Sequence, residues 1–261
     1  MKNDTIDGGN AFDWGRSSED YARFRDIYPP EFYQRILDLG LCTAGQEVLD
    51  LGTGTGVLPR ALYAVGAKFT GADISARQIE EARRLAEKEE KHIDFVVSGA
   101  EDLSFPPESF DVITACQCFI YFDKSVVLPK FHRMLRNGGH FCVLWMAWLP
   151  QEDPIAAASE KLILQYNPFW TGAGYQRPVL TEPEWAAPYF SAKNLISYDI
   201  TVPFTRQSWQ GRIRACRGIG ASSLPQEAID AFETEHTCLL QSFPEEFEIL
   251  HHVTLMDFIK A

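Results

Sequence analysis

The chain has 261 residues, of which 46% are hydrophobic and 23% charged, and this composition excludes a wholly disordered, collagen-like or coiled-coil protein. Acidic residues outnumber basic ones 36 to 24, and the net charge of −12 disfavours a nucleic-acid substrate, because nucleic-acid binders need a basic face. The longest apolar run, 141–149, is far below the ~20 residues of a membrane-spanning helix, and the first residues show no apolar signal segment. We therefore expect a cytoplasmic protein with no membrane partner.

The predicted elements begin with two helices, 17–24 and 30–39. Between residues 46 and 148, short β-rich runs then alternate with amphipathic helical patterns, which is typical of a parallel α/β sheet. A further helix follows, with Pro154 at its permitted first position. The predicted strands are 47–51, 68–72, 94–97, 110–115, 140–145, 195–202 and 248–258. The predicted helices after the first two are 57–65, 75–91, 124–136, 154–166, 206–217 and 225–242.

A glycine-rich loop ends the first predicted strand and begins a helix, in the run Asp50-Leu51-Gly52-Thr53-Gly54-Thr55-Gly56. Gly52 and Gly54 allow a tight turn and a close approach of the backbone to a ligand, while the helix N-terminus presents free N–H groups. A dinucleotide fingerprint needs glycine at position 57, where this chain has Val57, and the Gly-Lys-Ser/Thr of a Walker loop is absent. The acid that precedes the first glycine would repel a pyrophosphate and favours a ligand with an ammonium group.

Asp73 follows Gly52 by 21 residues and stands at the end of the second predicted strand. A carboxylate at this position accepts both hydroxyls of a ribose in Rossmann-type sites. The alternative interpretation is a merely tight strand–helix turn with a solvated aspartate. The glycine loop, its strand–helix context and the spaced acid occur together, which favours a nucleoside-binding site.

On these motifs, the stretch from about residue 45 to 146 resembles the class I S-adenosylmethionine-dependent methyltransferases, most of all the small-molecule group that includes the ubiquinone/menaquinone C-methyltransferases. The resemblance implies an α/β, Rossmann-like fold with a seven-stranded, mostly parallel sheet and helices on both faces. It also implies S-adenosylmethionine as cofactor and a small organic molecule as acceptor. Alignment of the acceptor and exclusion of water can supply the catalysis, so we single out no catalytic residue and no metal.

The resemblance assigns roles to particular residues. The glycine loop would lie beneath the methionine part of the cofactor, Asp73 would bind the ribose, and Ile74 would pack on the adenine. The loop 98–103 would border the adenine through Ala100 and Glu101, and the end of the fourth strand would form the floor of the reaction site. The predicted cofactor-binding residues are Tyr21, Arg25, Asp50, Gly52, Thr53, Gly54, Gly56, Asp73, Ile74, Ala100, Glu101, Cys116 and Gln117.

Two of these residues, Tyr21 and Arg25, lie four apart on the first predicted helix. In the resembling families this segment often closes over the cofactor, which would place both side chains near its carboxylate. The alternative is an amphipathic helix that merely packs on the surface.

Many relatives carry aspartate where this chain has Gly99, which would shift the adenine contact to Glu101.

The domain organisation follows from the same resemblance. We interpret 1–44 as an N-terminal helical cap segment, 45–149 together with 193–261 as the cofactor-binding methyltransferase domain, and 150–192 as an inserted substrate-cap segment. Aromatic residues make up 13% of the chain, and many of them lie in the two cap segments. They either wall an acceptor pocket or simply pack the insertion.

The cysteines and the basic residues allow two interpretations each. None of the six cysteines has Cys-x-x-Cys spacing, so we expect reduced thiols. Cys116 and Cys118 would share one strand face, where a thiol pair could bind arsenite, although buried small hydrophobic residues are the commoner case. The arginines of 212–217 either recognise an acceptor carboxylate or stand at a helix C-terminus, where cations are favoured. His236 lies in an apolar helical stripe, which favours a core histidine over an acceptor base.

The function with the best support is methyl transfer from S-adenosylmethionine to a small organic acceptor. The residues 115–118 are not the Asn/Asp-Pro-Pro-aromatic run of amino-directed nucleic-acid methyltransferases. Two alternatives stay open: an S-adenosylmethionine-binding protein without transferase activity, and a nicotinamide-dependent oxidoreductase, which the spacing at Val57 disfavours. The residues leave open the acceptor, its attacking atom and the oligomeric state.

Overall fold

The computed structural model describes residues 6–17, 23–24 and 27–261. Tyr21, Arg25 and most of the predicted helix 17–24 lie outside the described residues. The strands are β1 (Glu47–Leu51), β2 (Lys68–Asp73), β3 (Asp94–Val97), β4 (Phe110–Cys116), β5 (Leu135–Trp148), β6 (Phe190–Thr205) and β7 (Glu246–Lys260). The helices are α1 (Pro30–Asp38), α2 (Val57–Leu62), α3 (Ala76–Lys88), α4 (Lys124–Met134), α5 (Pro154–Tyr166), α6 (Arg206–Arg214) and α7 (Gln226–Leu240).

The strands form a seven-stranded sheet in the order β3-β2-β1-β4-β5-β7-β6. β1 pairs in parallel with β2 on one side and with β4 on the other, and the pairs β2–β3 and β4–β5 are also parallel. β7 runs antiparallel to β5: His140 bonds to Asp257 and Leu149 to Leu250, so residue numbers fall along β7 as they rise along β5. The predicted seven-stranded, mostly parallel sheet is therefore confirmed.

Helices cover both faces of the parallel strands. Asp50, Gly71 and Phe95 are level with one another across β1, β2 and β3, so these positions share one face of the sheet. Phe95 packs there against apolar residues of α3. Leu49 points to the opposite face, because side chains alternate along a strand, and it shares a core with Phe131 of α4.

The element boundaries differ from the predicted ones mainly where strands are longer. β5 begins at Leu135 instead of His140, because Leu135 already pairs with Phe110 of β4 and ends the preceding helix at Met134. β6 and β7 also extend beyond their predicted limits at both ends. The predicted helix 57–65 is an α-helix to Leu62 that continues as a 3-10 turn. Pairing between strands, which local patterns do not report, sets these limits.

The chain divides into two compact units. The first, here called the sheet unit, comprises Tyr28–Met146, Val179–Tyr198 and Val253–Ala261. The second, here called the helical unit, comprises Met1–Ile27, Ala147–Pro178 and Asp199–His252 and contains α5, α6 and α7. The stretch 150–192 is thus divided between the two units, and its role as a substrate cap stays a prediction. None of the helices in the described part of the chain has the length and apolar character that crossing a bilayer requires.

Candidate cofactor site

The glycine loop connects β1 to α2 in the sheet unit. Gly52, Gly54 and Gly56 all have left-handed backbone conformations, with φ of +57°, +55° and +73°. A Cβ atom on Gly52 would lie 2.6 Å from the Cβ of Cys118, so both conformation and space require glycine there. The loop lies at the carboxyl end of β1, where the strand order reverses between β1 and β4. Ligands bind at this kind of position in open α/β sheets.

Asp50, the residue before the last of β1, is buried and anchors the loop from inside. Its Oδ2 accepts a hydrogen bond from Thr53 Oγ1 and its Oδ1 accepts one from Thr114 Oγ1 of β4, both at 2.7 Å. Burial raises the pKa of Asp50 to about 6, although the two hydroxyl groups act in the opposite direction. The sequence pattern did not single out Thr114, whose signal is a hydroxyl inside a largely apolar, buried strand.

Asp73, the last residue of β2, is held by backbone N–H groups of two different segments. Its Oδ2 accepts from the Gly54 N–H at 3.0 Å, and its Oδ1 accepts from the Ser75 N–H at 2.8 Å. Burial raises the pKa of this carboxyl group. A carboxylate oxygen has about two acceptor positions, so each oxygen keeps one for a further donor. The carboxylate can therefore accept two neighbouring hydroxyl groups in a fixed orientation.

Exposed apolar side chains lie beside Asp73. Ile74 is 53% exposed, and Val97, the residue level with Asp73 on β3, is 48% exposed. Ile74 also faces the loop 98–103, since a Cβ on Gly99 would be 3.5 Å from Ile74 Cδ1. An apolar surface beside an oriented carboxylate is a combination that suits a nucleoside.

The loop 98–103 places its two predicted site residues differently. Ala100 is buried in the core that the sheet shares with α4. Glu101 Oε1 accepts a hydrogen bond from the Asp123 backbone N–H at 2.8 Å, and the Glu101 carbonyl accepts one from Lys130 Nζ. One carboxylate oxygen of Glu101 is thus engaged by the chain itself. The assignment of both residues to adenine binding stays a prediction.

β4 ends at Cys116, and the chain turns sharply at Gln117, which has a left-handed φ of +65°. Cys116 Sγ lies 3.5 Å from the hydroxyl oxygen of Tyr28, in the segment before α1. Cys118 does not continue the strand, and its Sγ instead donates to the Leu51 carbonyl at the end of β1, at 3.0 Å. The prediction that Cys116 and Cys118 share one face of a strand is therefore wrong, because the strand ends at Cys116 and the turn at Gln117 comes between them.

Arg60 of α2 contacts the site and was not predicted. This buried side chain donates from Nε to the Thr55 carbonyl of the glycine loop at 3.2 Å, and its guanidinium pairs with Glu89 beyond the end of α3. Lys91 contacts the same carboxylate at 2.7 Å. The buried cation thus holds one loop carbonyl from the helix side. Its signal in the sequence is a charged residue among the apolar positions of 57–65.

His236 lies in the helical unit and is fully buried. Its Nε2 is 3.0 Å from Ser159 Oγ, and its ring stacks on Phe232 at a centroid distance of 5.3 Å. Burial lowers the pKa of His236 to about 4, so the imidazole is neutral near pH 7. These surroundings agree with the interpretation as a core histidine.

The arginines of 212–217 also lie in the helical unit. Arg217 forms a buried ion pair with Asp7, and Arg214 contacts Glu233 at 3.2 Å. Arg212 is buried with its guanidinium carbon 4.9 Å from the centroid of the Trp148 ring. The contacts of Arg214 and Arg217 favour structural roles over recognition of an acceptor carboxylate.

Comparison with known proteins shows similarity to methyltransferases. Residues 49–143 match the family model described as a methyltransferase domain. The demethylmenaquinone methyltransferase of Thermus thermophilus is 38% identical over 114 residues, which cover 42% of this chain and 52% of that protein. An uncharacterized methyltransferase of Bacillus subtilis, YcgJ, is 30% identical over 183 residues, which cover 66% of this chain and 69% of that protein. The chain spans about half the length of several other curated relatives that it matches.

Solved structures agree with the fold. The crystal structure of YcgJ superimposes with a TM-score of 0.56 at 20% identity and covers 88% of this chain and 98% of that one. A geranyl diphosphate C-methyltransferase from Streptomyces coelicolor, solved with S-adenosyl-L-homocysteine, superimposes with a TM-score of 0.50 at 16% identity, covering 88% of this chain and 75% of that one. The fold is thus that of the class I, Rossmann-like methyltransferases. The chain belongs to the methyltransferase-domain family, as its motifs predicted.

Proposed function

We propose that this chain is an S-adenosylmethionine-dependent methyltransferase that acts on a small organic acceptor. The observation that carries the proposal is the arrangement of Asp73, whose two oxygens are oriented by the Gly54 and Ser75 N–H groups at the carboxyl edge of the sheet. Family membership supports the reaction class. The acidic balance of the chain supports a small acceptor over nucleic acid, and the reduced thiols expected from the sequence support a cytoplasmic location.

The described residues fit this cofactor. Asp73 keeps an acceptor position on each oxygen, as two ribose hydroxyls need, and Ile74 offers an exposed apolar surface beside it. Gly52 and Gly54 bring backbone without a Cβ to the same edge, next to the buried carboxylate of Asp50. S-adenosylmethionine, when bound, supplies a methyl group activated by a sulfonium.

The residues of this chain would hold that group and keep water away. We assign Asp73 to the ribose, Ile74 with Ala100 and Glu101 to the adenine, and the glycine loop to the methionine part. Cys116 and Gln117 would border the methyl group. We name no general base, because orientation and exclusion of water can account for much of the acceleration of such a transfer. The proposed residues of the glycine loop are Asp50, Gly52, Thr53, Gly54 and Gly56, and Tyr21 and Arg25 would lie near the carboxylate of the cofactor.

Calorimetric titration with S-adenosylmethionine and S-adenosylhomocysteine tests the cofactor assignment. We expect micromolar binding by the wild type and a loss of about 10- to 100-fold in Asp73→Asn, because one charged acceptor becomes a donor. Asp94→Asn is the matched control, since Asp94 is an exposed aspartate at the opposite end of the neighbouring strand β3. Binding of neither ligand at about 100 times a micromolar Kd would contradict the proposal.

A panel of small acceptors with mass detection separates a transferase from a protein that only binds the cofactor. A quinone precursor belongs in the panel, because the Thermus thermophilus relative is named for demethylmenaquinone. We expect one acceptor to gain the mass of a methyl group while S-adenosylhomocysteine forms in equal amount. Binding without any methylated product across the panel would favour the alternative of a non-catalytic binding protein.

A further inference from the structure

The turn at Gln117 connects three neighbouring strands, because β4 lies between β1 and β5. Towards β5, the Gln117 backbone N–H donates to the Leu144 carbonyl at 2.9 Å, and its side-chain Nε2 donates to the Met146 carbonyl at 2.5 Å. Towards β1, Cys118 Sγ donates to the Leu51 carbonyl at 3.0 Å. Two consecutive residues therefore tie the end of β4 to its two opposite neighbours.

The left-handed conformation of Gln117 needs an explanation. Residues with a Cβ rarely adopt φ near +65°, because the Cβ approaches the following carbonyl oxygen. Such a conformation persists where the surrounding contacts hold it. The bond from the Gln117 amide to the Met146 carbonyl is a contact of this kind. Alanine could not make this bond, and glycine would not require it.

The same turn decides which side chain lies against the glycine loop. In a continuing strand, Cys118 would point to the same side as Cys116. After the turn, the Cβ of Cys118 instead lies 2.6 Å from where a Cβ on Gly52 would be. Cys118 therefore packs directly on Gly52 at the boundary between β1 and β4, where the strand order reverses.

We propose that Gln117 is a positioning residue: its side-chain bond to Met146 holds the turn that packs Cys118 on Gly52, and this contact sets the shape of the cofactor loop. The side chain of Gln117 thus acts through Cys118, whereas the part of Gln117 that would border the methyl group is its backbone. The proposal rests on the proposed function for its binding measurement, whereas its thiol measurement needs no cofactor.

Three substitutions separate positioning from direct contact. In Gln117→Ala the unfavourable conformation remains without its support, and we expect the Kd for S-adenosylhomocysteine to rise about tenfold. In Gln117→Gly the conformation is no longer unfavourable, and we expect a clearly smaller rise in Kd than in Gln117→Ala. Gln117→Glu keeps the side-chain size but cannot donate to the Met146 carbonyl, so it should behave like Gln117→Ala.

Alkylation of Cys118 is the readout that is independent of the cofactor. Iodoacetamide labelling with mass spectrometry should show slow reaction in the wild type, because Cys118 is partly buried and burial raises its pKa. In Gln117→Ala we expect labelling about tenfold faster, as the turn opens locally. Cys142 of β5 is fully buried and serves as an internal control for global unfolding.

Glu108 provides the matched control position. It also has a left-handed conformation, with φ of +56°, but lies at the amino end of β4. Glu108→Ala and Glu108→Gly should change neither the Kd nor the labelling of Cys118. Equal loss of affinity in Gln117→Ala and Gln117→Gly, with unchanged labelling, would overturn the positioning role. Absence of binding by the wild type, with labelling as expected, would reject the proposed function and support the role of the turn.

Discussion

The hydroxyl of Thr114 on β4 donates a 2.7 Å hydrogen bond to the Asp50 carboxylate on β1, so the acid before the glycine loop is held from the neighbouring strand. The two residues are level in the parallel pairing of these strands. A buried carboxylate without donors is strongly unfavourable, and here Thr53 and Thr114 each supply one. The conformation of the loop therefore depends on a residue 64 positions further along the chain.

The first prediction concerns this bond. Thr114→Val keeps the shape of the side chain and removes the donor, so we expect a loss of about 2 kcal/mol in the free energy of unfolding. Urea denaturation at pH 7 measures it. Thr201→Val, at an exposed position of β6, is the control and should change stability by about 0.5 kcal/mol or less. An equal loss of stability in Thr114→Val and Thr201→Val would show that Asp50 does not need the Thr114 hydroxyl as a donor.

The second prediction concerns pH. Burial raises the pKa of Asp50 from 3.8 to about 6, so the folded state binds this proton more tightly than the unfolded state. Its contribution to stability is therefore fully present below about pH 4 and is lost as pH rises through about 6, a change of about 3 kcal/mol. We expect the stability of the wild type to fall relative to Asp50→Asn across this window. Parallel curves of stability against pH for the wild type and Asp50→Asn would contradict the raised pKa of Asp50.

The third prediction separates conformation from space at Gly52. Gly52→Ala places a Cβ on a left-handed backbone and against the Cys118 side chain. We therefore expect the free energy of unfolding to fall by about 3 kcal/mol. Gly138→Ala is the matched control: Gly138 has φ of +74°, and nothing lies within 4 Å of where its Cβ would be. Gly138→Ala should lower the free energy of unfolding by about 1 kcal/mol, from the backbone conformation alone. Thermal unfolding of both variants measures the difference, and similar losses would rule out the steric contribution of Cys118.

The fourth prediction concerns Arg60. Arg60→Met keeps an apolar stem but leaves the Thr55 carbonyl without its buried donor, and we expect about 2 kcal/mol lower stability. We also expect S-adenosylhomocysteine to bind about fivefold more weakly, because the loop loses a support. Arg84→Met removes an exposed arginine that pairs with Glu81 and should leave both values nearly unchanged. An unchanged Kd in Arg60→Met would limit this residue to stability.

The fifth prediction concerns the aromatic residues of 150–192. Trp185 packs in the sheet unit against Phe119 and Phe258, at centroid distances of 4.8 and 5.0 Å. We expect Trp185→Ala to lower the free energy of unfolding by about 3 kcal/mol, as truncation of a packed aromatic residue does. Val179→Ala, at a position 89% exposed, is the control and should have little effect. Selective loss of acceptor use, with full stability, would instead place Trp185 in an acceptor pocket.

Much of the fold could be predicted because its signals are local. Alternating strand and helix patterns, the left-handed glycines of the loop and the acid at the end of β2 are all encoded within short stretches. The longer limits of β5 could not be predicted, since Leu135 is a strand residue only because it pairs with Phe110. Likewise, Cys118 was expected on a strand, because nothing in the local sequence signals a left-handed glutamine before it.

The excess of acidic residues, the class of fold and the family of this protein were determined by the sequence alone, since each rests on composition or on motifs of a few residues. The tertiary structure decided how the site is held. Thr114 reaches Asp50, Arg60 reaches Thr55, and Gln117 reaches Met146 through contacts between segments that only folding brings together. The physical reason is that buried polar groups need partners, and the chain supplies those partners from whichever strand or helix lies adjacent in space.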